Sequence, residues 1–343
     1  MRNDFKKAAE TLFSKDNIHI YIHAKPDGDT LGSGVALFLL LRTLGKKAII
    51  VSNDVIPARL SFLSRLAGEQ NFCYGAEELK TKGFQNSFTV SVDVASDVLF
   101  KGAYGTCEES IQLAIDHHFI NTLSCDELYV VADASSTGEI IYSFAKEAEE
   151  RFGIEVFQKE ITNAIYAAIS SDTGCFKYGN TTENTHAVAA KLMRYGADAE
   201  EINRLLFDTK TKQQLEVERI ALTNMEFYAA GKIALTHLTL KELDQIGATY
   251  DDAETVAQLP RQIEGVVIGI YMREKKPVEN QPETYKFSVR ANNNTDMAAL
   301  CALFGGGGHK KAAGCVIAGK FEEARDRFLN EARKALQLSE NKE

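Results

Sequence analysis

Residues 18–45 read IHIYIHAKPDGDTLGSGVALFLLLRTLG. Ile18, Ile20 and Ile22 alternate with His19, Tyr21 and His23, the period-two pattern of a strand. A polar turn over 24–29 follows, and 31–44 then reads as a helix closed by Gly45. The next strand is 47–52, KAIIVS. This β-α-β order recurs downstream and predicts an α/β fold whose first domain is a mostly parallel, doubly wound sheet with helices on both faces.

Working outward, further strands are expected at 88–93, 111–116 and 129–132, and helices at 137–150, 157–170 and 185–195. A charged helical run over 199–228 reads as a connector. Beyond it, strands at 232–238, 265–272 and 285–290 and helices at 295–304 and 321–336 make a second, smaller α/β domain. The expected division is a first domain over 1–205, a helical connector over 206–228 and a second domain over 229–343. The polar stretch 274–284, with Pro277 and Pro282, reads as an exposed turn.

The chain has 343 residues, 45% hydrophobic and 25% charged, the proportions of a folded protein with two ordinary domains. Its longest apolar run, 35–41, stops at Arg42, far short of the roughly 20 residues of a membrane span. The opening MRNDFKKAAETLF carries an acid and no apolar core followed by small residues, so it does not read as a secretory signal. Thirty-nine basic against 48 acidic residues give −9, the wrong balance for coating duplex nucleic acid or a membrane surface. Short anionic substrates stay open, because a few local cations can hold them. Cys73, Cys107, Cys125, Cys175, Cys301 and Cys315 form no CxxC pair, which argues against structural zinc and disulfide frameworks and for a reducing cytoplasm.

The acids and histidines stand where strands end. His23, Asp27 and Asp29 follow the first strand, Asp93 closes SVDVAS, Asp116-His117-His118 close LAIDHH, and Asp172 follows an apolar helical run in AAISSDTG. In an open parallel sheet the loops at the carboxyl ends of the strands share one crevice. Carboxylates crowded there repel in low dielectric unless cations join them. Mixed carboxylate and imidazole donors favour Mn²⁺ or a similar divalent ion. The donors are too many for one ion; two, about 3.5–4 Å apart and sharing a carboxylate, suit in-line displacement at phosphorus by an activated water. An isolated Asp at a strand end is ordinarily a cap or turn residue, and Asp29, Thr30 or Asp172 can each be read so. Capping, however, does not call for histidine, and four of the seven histidines (His23, His117, His118, His309) sit in these polar loops.

The second domain contributes FGGGGHKKAAGC over 304–315. Four consecutive glycines let backbone N–H groups approach an anion closely. GxxxxGK[ST] is not satisfied, so this is no Walker loop. His309, Lys310 and Lys311 beside the glycines, with Arg290 at a strand end, point to an anion-binding surface.

In this order HAKPDGD, SVDVAS, DHH and SSDTG resemble the four motifs of the DHH phosphoesterases, and GGGGHKKAAG resembles the signature of the DHH-associated C-terminal domain. The likeness spans essentially the whole chain. The stretch SSDTGCFKYGNTTENTHAVAAKLMRYGAD is similar to the nanoRNase / pAp phosphatase branch. The resemblance implies that His23, Asp27 and Asp93 hold a first metal ion and that Asp29, Asp93, His117 and Asp172 hold a second, with Asp93 bridging. His118 would face the scissile phosphate, Asp116 would orient an imidazole, and Arg290, Gly306, Gly307, Gly308 and His309 would grip the rest of the nucleotide in an interdomain cleft. The part played by Ser135, Ser136 and Glu139 is open.

The activity this implies is Mn²⁺-dependent hydrolysis of short oligoribonucleotides, pApA included, to mononucleotides, and of 3′-phosphoadenosine 5′-phosphate (pAp) to AMP and phosphate. Such an enzyme would work in the cytoplasm without duplex nucleic acid or membrane as partner, and a homodimer is left open. The alternatives are an exopolyphosphatase- or pyrophosphatase-like hydrolase and a non-catalytic nucleotide-binding module.

Overall fold

The computed structural model describes residues 4–83 and 87–340, with side chains to residue 337. Contacts divide the chain into two units, Met1–Thr209 and Lys210–Glu343.

The first unit begins with α1 (Phe5–Phe13), β1 (Ile18–Tyr21), α2 (Gly28–Thr43) and β2 (Ala48–Ser52). It continues with α3 (Ser61–Ala67), β3 (Phe72–Tyr74), α4 (Gly75–Thr81), β4 (Phe88–Val92), β5 (Ile111–Asp116) and β6 (Cys125–Val130). The helices α5 (Thr137–Phe152), α6 (Lys159–Asp172), α7 (Glu183–Arg194) and α8 (Ala199–Asn203) complete it. The sheet runs β3-β2-β1-β4-β5-β6, and every pair is parallel. Chain order reverses between β1 and β4, which is where such sheets open a crevice. Ile18, Ile20 and Ile22 are buried with α2, α5 and α6 on one face, while Tyr21, Ile49 and Val51 join a smaller cluster on the other.

Glycines set the spacing of the helices over that first face. A Cβ on Gly32 of α2 would stand 2.7 Å from the Ala164 carbonyl oxygen of α6. On Gly138 of α5 it would stand 2.5 Å from Ala168 Cβ. Three helices therefore meet backbone to backbone, closer than any side chain permits.

Several expectations need correction. Helix α2 starts at Gly28 rather than 31, because Asp27 caps it by accepting from Asp29 N and Thr30 N. Strand β6 occupies Cys125–Val130 rather than 129–132; its register against β5 pairs Ile111 with Cys125 and Asp116 with Val130. This edge strand is only half-buried, so its outer residues are polar and its apolar tail misleads. The connector is not one helix. After α8 comes a π-helical turn over Arg204–Asp208, then α9 (Lys212–Thr223), capped by Thr211 and Gln214, and then β7 (Glu226–Tyr228), a strand of the second sheet.

The second unit adds β8 (Ile233–Leu238), α10 (Leu240–Ile246), α11 (Tyr250–Glu254), β9 (Ile268–Glu274), β10 (Thr284–Ala291), α12 (Met297–Ala302), β11 (Gly307–His309), β12 (Ala312–Ala318) and α13 (Phe321–Glu340). Its sheet runs β11-β12-β10-β9-β8-β7, antiparallel except for β8 and β9. Phe287, Met297 and Phe328 belong to the core beneath α12 and α13, and Tyr271 joins Val217 and Leu243 on the opposite face. Among the described residues no helix is long and apolar enough to cross a membrane.

Candidate metal centre

The loops after β1, β4 and β5, the first turn of α2 and the end of α6 bring seven side chains together. Three overlapping groups form: His23, Asp27 and Asp93; Asp29, His117 and Asp172; and Asp93, His117 and His118. Within each, the donor atoms all lie within 4.8 Å of one another. His23 Nε2 stands 3.6 Å from Asp27 Oδ1 and 3.8 Å from Asp93 Oδ2. His117 Nε2 stands 3.7 Å from Asp29 Oδ2, 3.6 Å from Asp93 Oδ1 and 3.8 Å from Asp172 Oδ2. These separations are too long for hydrogen bonds. They are shorter than twice a metal–ligand bond of about 2.1 Å, so donors so spaced can share an ion. The two oxygens of Asp93 face different groups, Oδ2 toward His23 and Oδ1 toward His117.

Local structure aims each donor. The Asp93 backbone is left-handed, φ 61°, a conformation Asp tolerates better than most residues, and Asp93 N donates to Ile115 O as β4 ends. Thr137 Oγ1 donates to Asp93 Oδ1 at 3.0 Å. Asp29 lies in the first turn of α2 and accepts from Ser33 Oγ and from the N–H groups of Thr137 and Gly138 at the start of α5. The positive end of the α5 dipole thus faces a buried carboxylate. That contact needs the close helix approach which Gly138 and Gly32 allow. Asp172 closes α6 and accepts from Asn180 Nδ2 at 2.9 Å.

The electrostatics call for a cation. Burial raises the carboxyl of Asp29 well above the usual range, and the neighbouring Asp93 raises it further. Burial, then Asp27, hold Asp93 up to about 7. Asp172 is raised chiefly by burial. Among the described residues no Lys or Arg pairs with these carboxylates; their charged partners are imidazoles. Burial disfavours a charged His23, but Asp27 outweighs it and raises the imidazole to about 9. A divalent ion among these groups would replace the protons they hold against one another. Oxygen and imidazole donors of this kind fit such an ion.

His118 is set apart by its other partner. Its Nδ1 is 2.8 Å from Asp116 Oδ1, and that hydrogen bond raises the imidazole to about 9. Asp116, fully buried, also accepts from Asn121 Nδ2 at 2.6 Å, and Asn121 donates to Val94 O as well. Glu139 accepts from Ser135 N, Ser135 Oγ and Thr185 Oγ1, while Ser136 caps α5. ASSTGE therefore braces the start of α5, which in turn holds Asp29 and Asp93. Sequence reasoning missed Asn121, Thr137 and Asn180; amides and hydroxyls carry no signal until their carboxylate partners are seen beside them.

Arg290, Gly306, Gly307, Gly308 and His309 lie in the second unit. The glycine run is not a free loop: β11 covers Gly307–His309 and pairs with Ala312, Ala313 and Gly314. Gly306 packs against Cys315, where a Cβ would come within 2.5 Å of the Cys315 Cβ. Ala312 is the register partner of both His309 and Arg290, so these two residues flank one position of β12.

Comparison with known proteins agrees with this architecture. The chain is 30% identical to the bifunctional oligoribonuclease and PAP phosphatase NrnA of Thermus thermophilus, over 93% of its own length and 90% of the relative's. The protein of that name from Bacillus subtilis is 27% identical over 93% and 94%. A solved exopolyphosphatase-related protein from Bacteroides fragilis superposes with a TM-score of 0.83 at 24% identity, over 98% of both chains, a likeness of fold. The model of the DHH family N-terminal domain matches residues 17–169, the span that holds every donor above except Asp172, and the DHHA1 domain matches 232–338, the span of the glycine strand. With both domains in place and a near-full-length relative at 30% identity, the chain belongs to the DHH phosphoesterase family and is a hydrolase.

Proposed function

We propose that the chain is a Mn²⁺-dependent phosphoesterase that cuts very short oligoribonucleotides, pApA among them, to mononucleotides and converts pAp to AMP and phosphate. The observation that carries this reading is the position of Asp93, one carboxylate presenting each oxygen to a different donor group. Relatives similar along nearly the whole chain are named for these two activities. Two divalent ions held by His23, Asp27 and Asp93 and by Asp29, Asp93, His117 and Asp172 would supply an activated water and neutralise charge on the transferred phosphoryl.

The remaining work falls to side chains of this chain. His118, held through Nδ1 by Asp116, keeps its Nε2 for the substrate. Its raised affinity for protons makes it an imidazolium at neutral pH, able to donate to a phosphoryl or leaving oxygen. Asn121 fixes Asp116, and Thr137 fixes Asp93, so neither carboxylate must reorganise as charge develops. Arg290 and His309 would bind a substrate anion, with the adjacent glycine strand leaving room for a close approach.

The test is a panel of pApA, longer oligoribonucleotides, pAp, pyrophosphate and polyphosphate, each with Mn²⁺, Mg²⁺ or chelator. Rapid turnover of dinucleotides and pAp with Mn²⁺, abolished by chelator, is expected. Polyphosphate consumed fastest would show the substrate assignment to be wrong.

A further inference from the structure

Immediately after His118 the chain exposes two large apolar side chains in succession. Phe119 is 88% exposed, the highest value of any large hydrophobic among the described residues, and Ile120 is 74% exposed. Leaving such groups in water forgoes the stabilisation that burial would give them. Their loop is nevertheless pinned on both sides. His118 is tied to Asp116 before it, and after it Asn121 donates to Asp116 and to Val94 O. Thr122 N then donates to Ala95 O at 2.8 Å, and Leu123, buried, donates its N–H to Asn121 Oδ1. Between two anchored residues the backbone has little freedom, so the Phe119 ring is presented rather than left dangling.

The patch is wider than one loop. The segment after Asp93 carries Val98 at 78% exposure and Leu99 at 39%, and it is laced to the Phe119 loop by Thr122 and by Ser124 Oγ donating to Asp97 Oδ2. Exposed apolar residues thus follow both β4 and β5, on the linked segments that carry Asp93 and His118.

We infer that Phe119, with Ile120 beside it, is a stacking platform for the nucleobase of the nucleotide whose phosphate lies at His118; this rests on the phosphoesterase reading above. Adjacent Cα atoms lie about 3.8 Å apart, so Phe119 starts one residue's length from the imidazole proposed to meet the phosphate. Every base has a π-face, and an aromatic ring accepts it without regard to sequence. A chain of net charge −9 cannot hold a short substrate by long-range attraction, and stacking supplies affinity without cations. Phe119 is accordingly a specificity residue for nucleotides over base-free phosphates.

The experiment compares AMP with ribose 5-phosphate in equilibrium binding with Mn²⁺, and pApA hydrolysis, for the parent, Phe119→Ala and Phe119→Trp. Phe119→Ala should weaken AMP binding and raise KM for pApA by about 5–150-fold, the equivalent of about 1–3 kcal/mol per stacked base, while ribose 5-phosphate loses far less. Phe119→Trp should retain the preference for AMP. The inference is overturned if the parent binds both ligands equally, if Phe119→Ala keeps the preference, or if it weakens both ligands alike. A Phe119→Ala protein that changes from dimer to monomer would overturn it in favour of a contact between copies. A parent that prefers AMP through Phe119 yet leaves pApA intact would instead refute the proposed activity and leave the platform standing.

Discussion

Asp93 and His118 both hold protons more tightly than usual, for different reasons. Burial and the nearby Asp27 keep a proton on Asp93 up to about 7, whereas the hydrogen bond that His118 donates to Asp116 keeps one on His118 up to about 9. Both values lie above those of the unfolded chain, about 3.9 for Asp and about 6.5 for His. In metal-free protein each group binds its proton more tightly folded than unfolded. The stability it contributes is full below the unfolded value and is lost as pH rises through the folded one. The metal-free Tm should therefore fall from about pH 5 to about pH 8, and saturating Mn²⁺ should remove the decline by supplying the positive charge. Thermal melts in chelator and in Mn²⁺ check this, and a Tm that rises in chelator over that interval would count against it. Asn121 offers a second probe at this scale. Asn121→Ala leaves the buried Asp116 short of a donor, which should cost about 1–3 kcal/mol in urea unfolding. It should also lower kcat more than it changes KM, because the His118 imidazole loses its brace.

The elements that carry these residues depend on close helix contact. Gly32→Ala drives a methyl group against the Ala164 carbonyl oxygen at 2.7 Å, and backbone cannot rotate away as a flexible side chain would. The expected loss is about 1–3 kcal/mol, offset only in part by better helix propensity. Because α6 carries Asp172, Mn²⁺ affinity should fall as well; calorimetric titration together with urea unfolding measures both. A Gly32→Ala protein as stable as the parent would show that α2 and α6 are packed less tightly than a 2.7 Å approach requires. Some elements were easier to read than others for a physical reason. Strand β1 alternates and β2 is an apolar run between polar turns, so both are visible in the residues. Strand β3 has three residues, α4 begins directly at its end, and β12 contains Gly314, so their patterns are too short or broken to stand out. The run LLFDTKTK looks helical by composition, yet a π turn and then the Thr211 capping box break it.

Across the whole molecule, the gathering of acids and histidines was legible because histidine, unlike Asp, is not called for by capping, yet His23, His117 and His118 follow apolar strands beside the acids. His23, Asp93, Asp116 and His117 lie at the ends of β1, β4 and β5, and a parallel sheet sends all those ends the same way. What the sequence hid was the bracing. Thr137 reaches Asp93 from 44 positions away and Gly138 reaches Asp29 from 109, distances at which local pattern says nothing. In the second unit the glycine run carries no side-chain alternation, so its strand character emerges only from pairing with β12. The account as a whole turns on two ions meeting at Asp93. The most direct measurement is a Mn²⁺ titration followed by calorimetry and electron paramagnetic resonance, on the parent and on Asp93→Ala. The account predicts two ions per chain, spin-coupled at about 3.5–4 Å, with Asp93→Ala losing the coupling and nearly all pApA hydrolysis. A single uncoupled ion in the parent, or an Asp93→Ala protein that still binds a coupled pair, would contradict it.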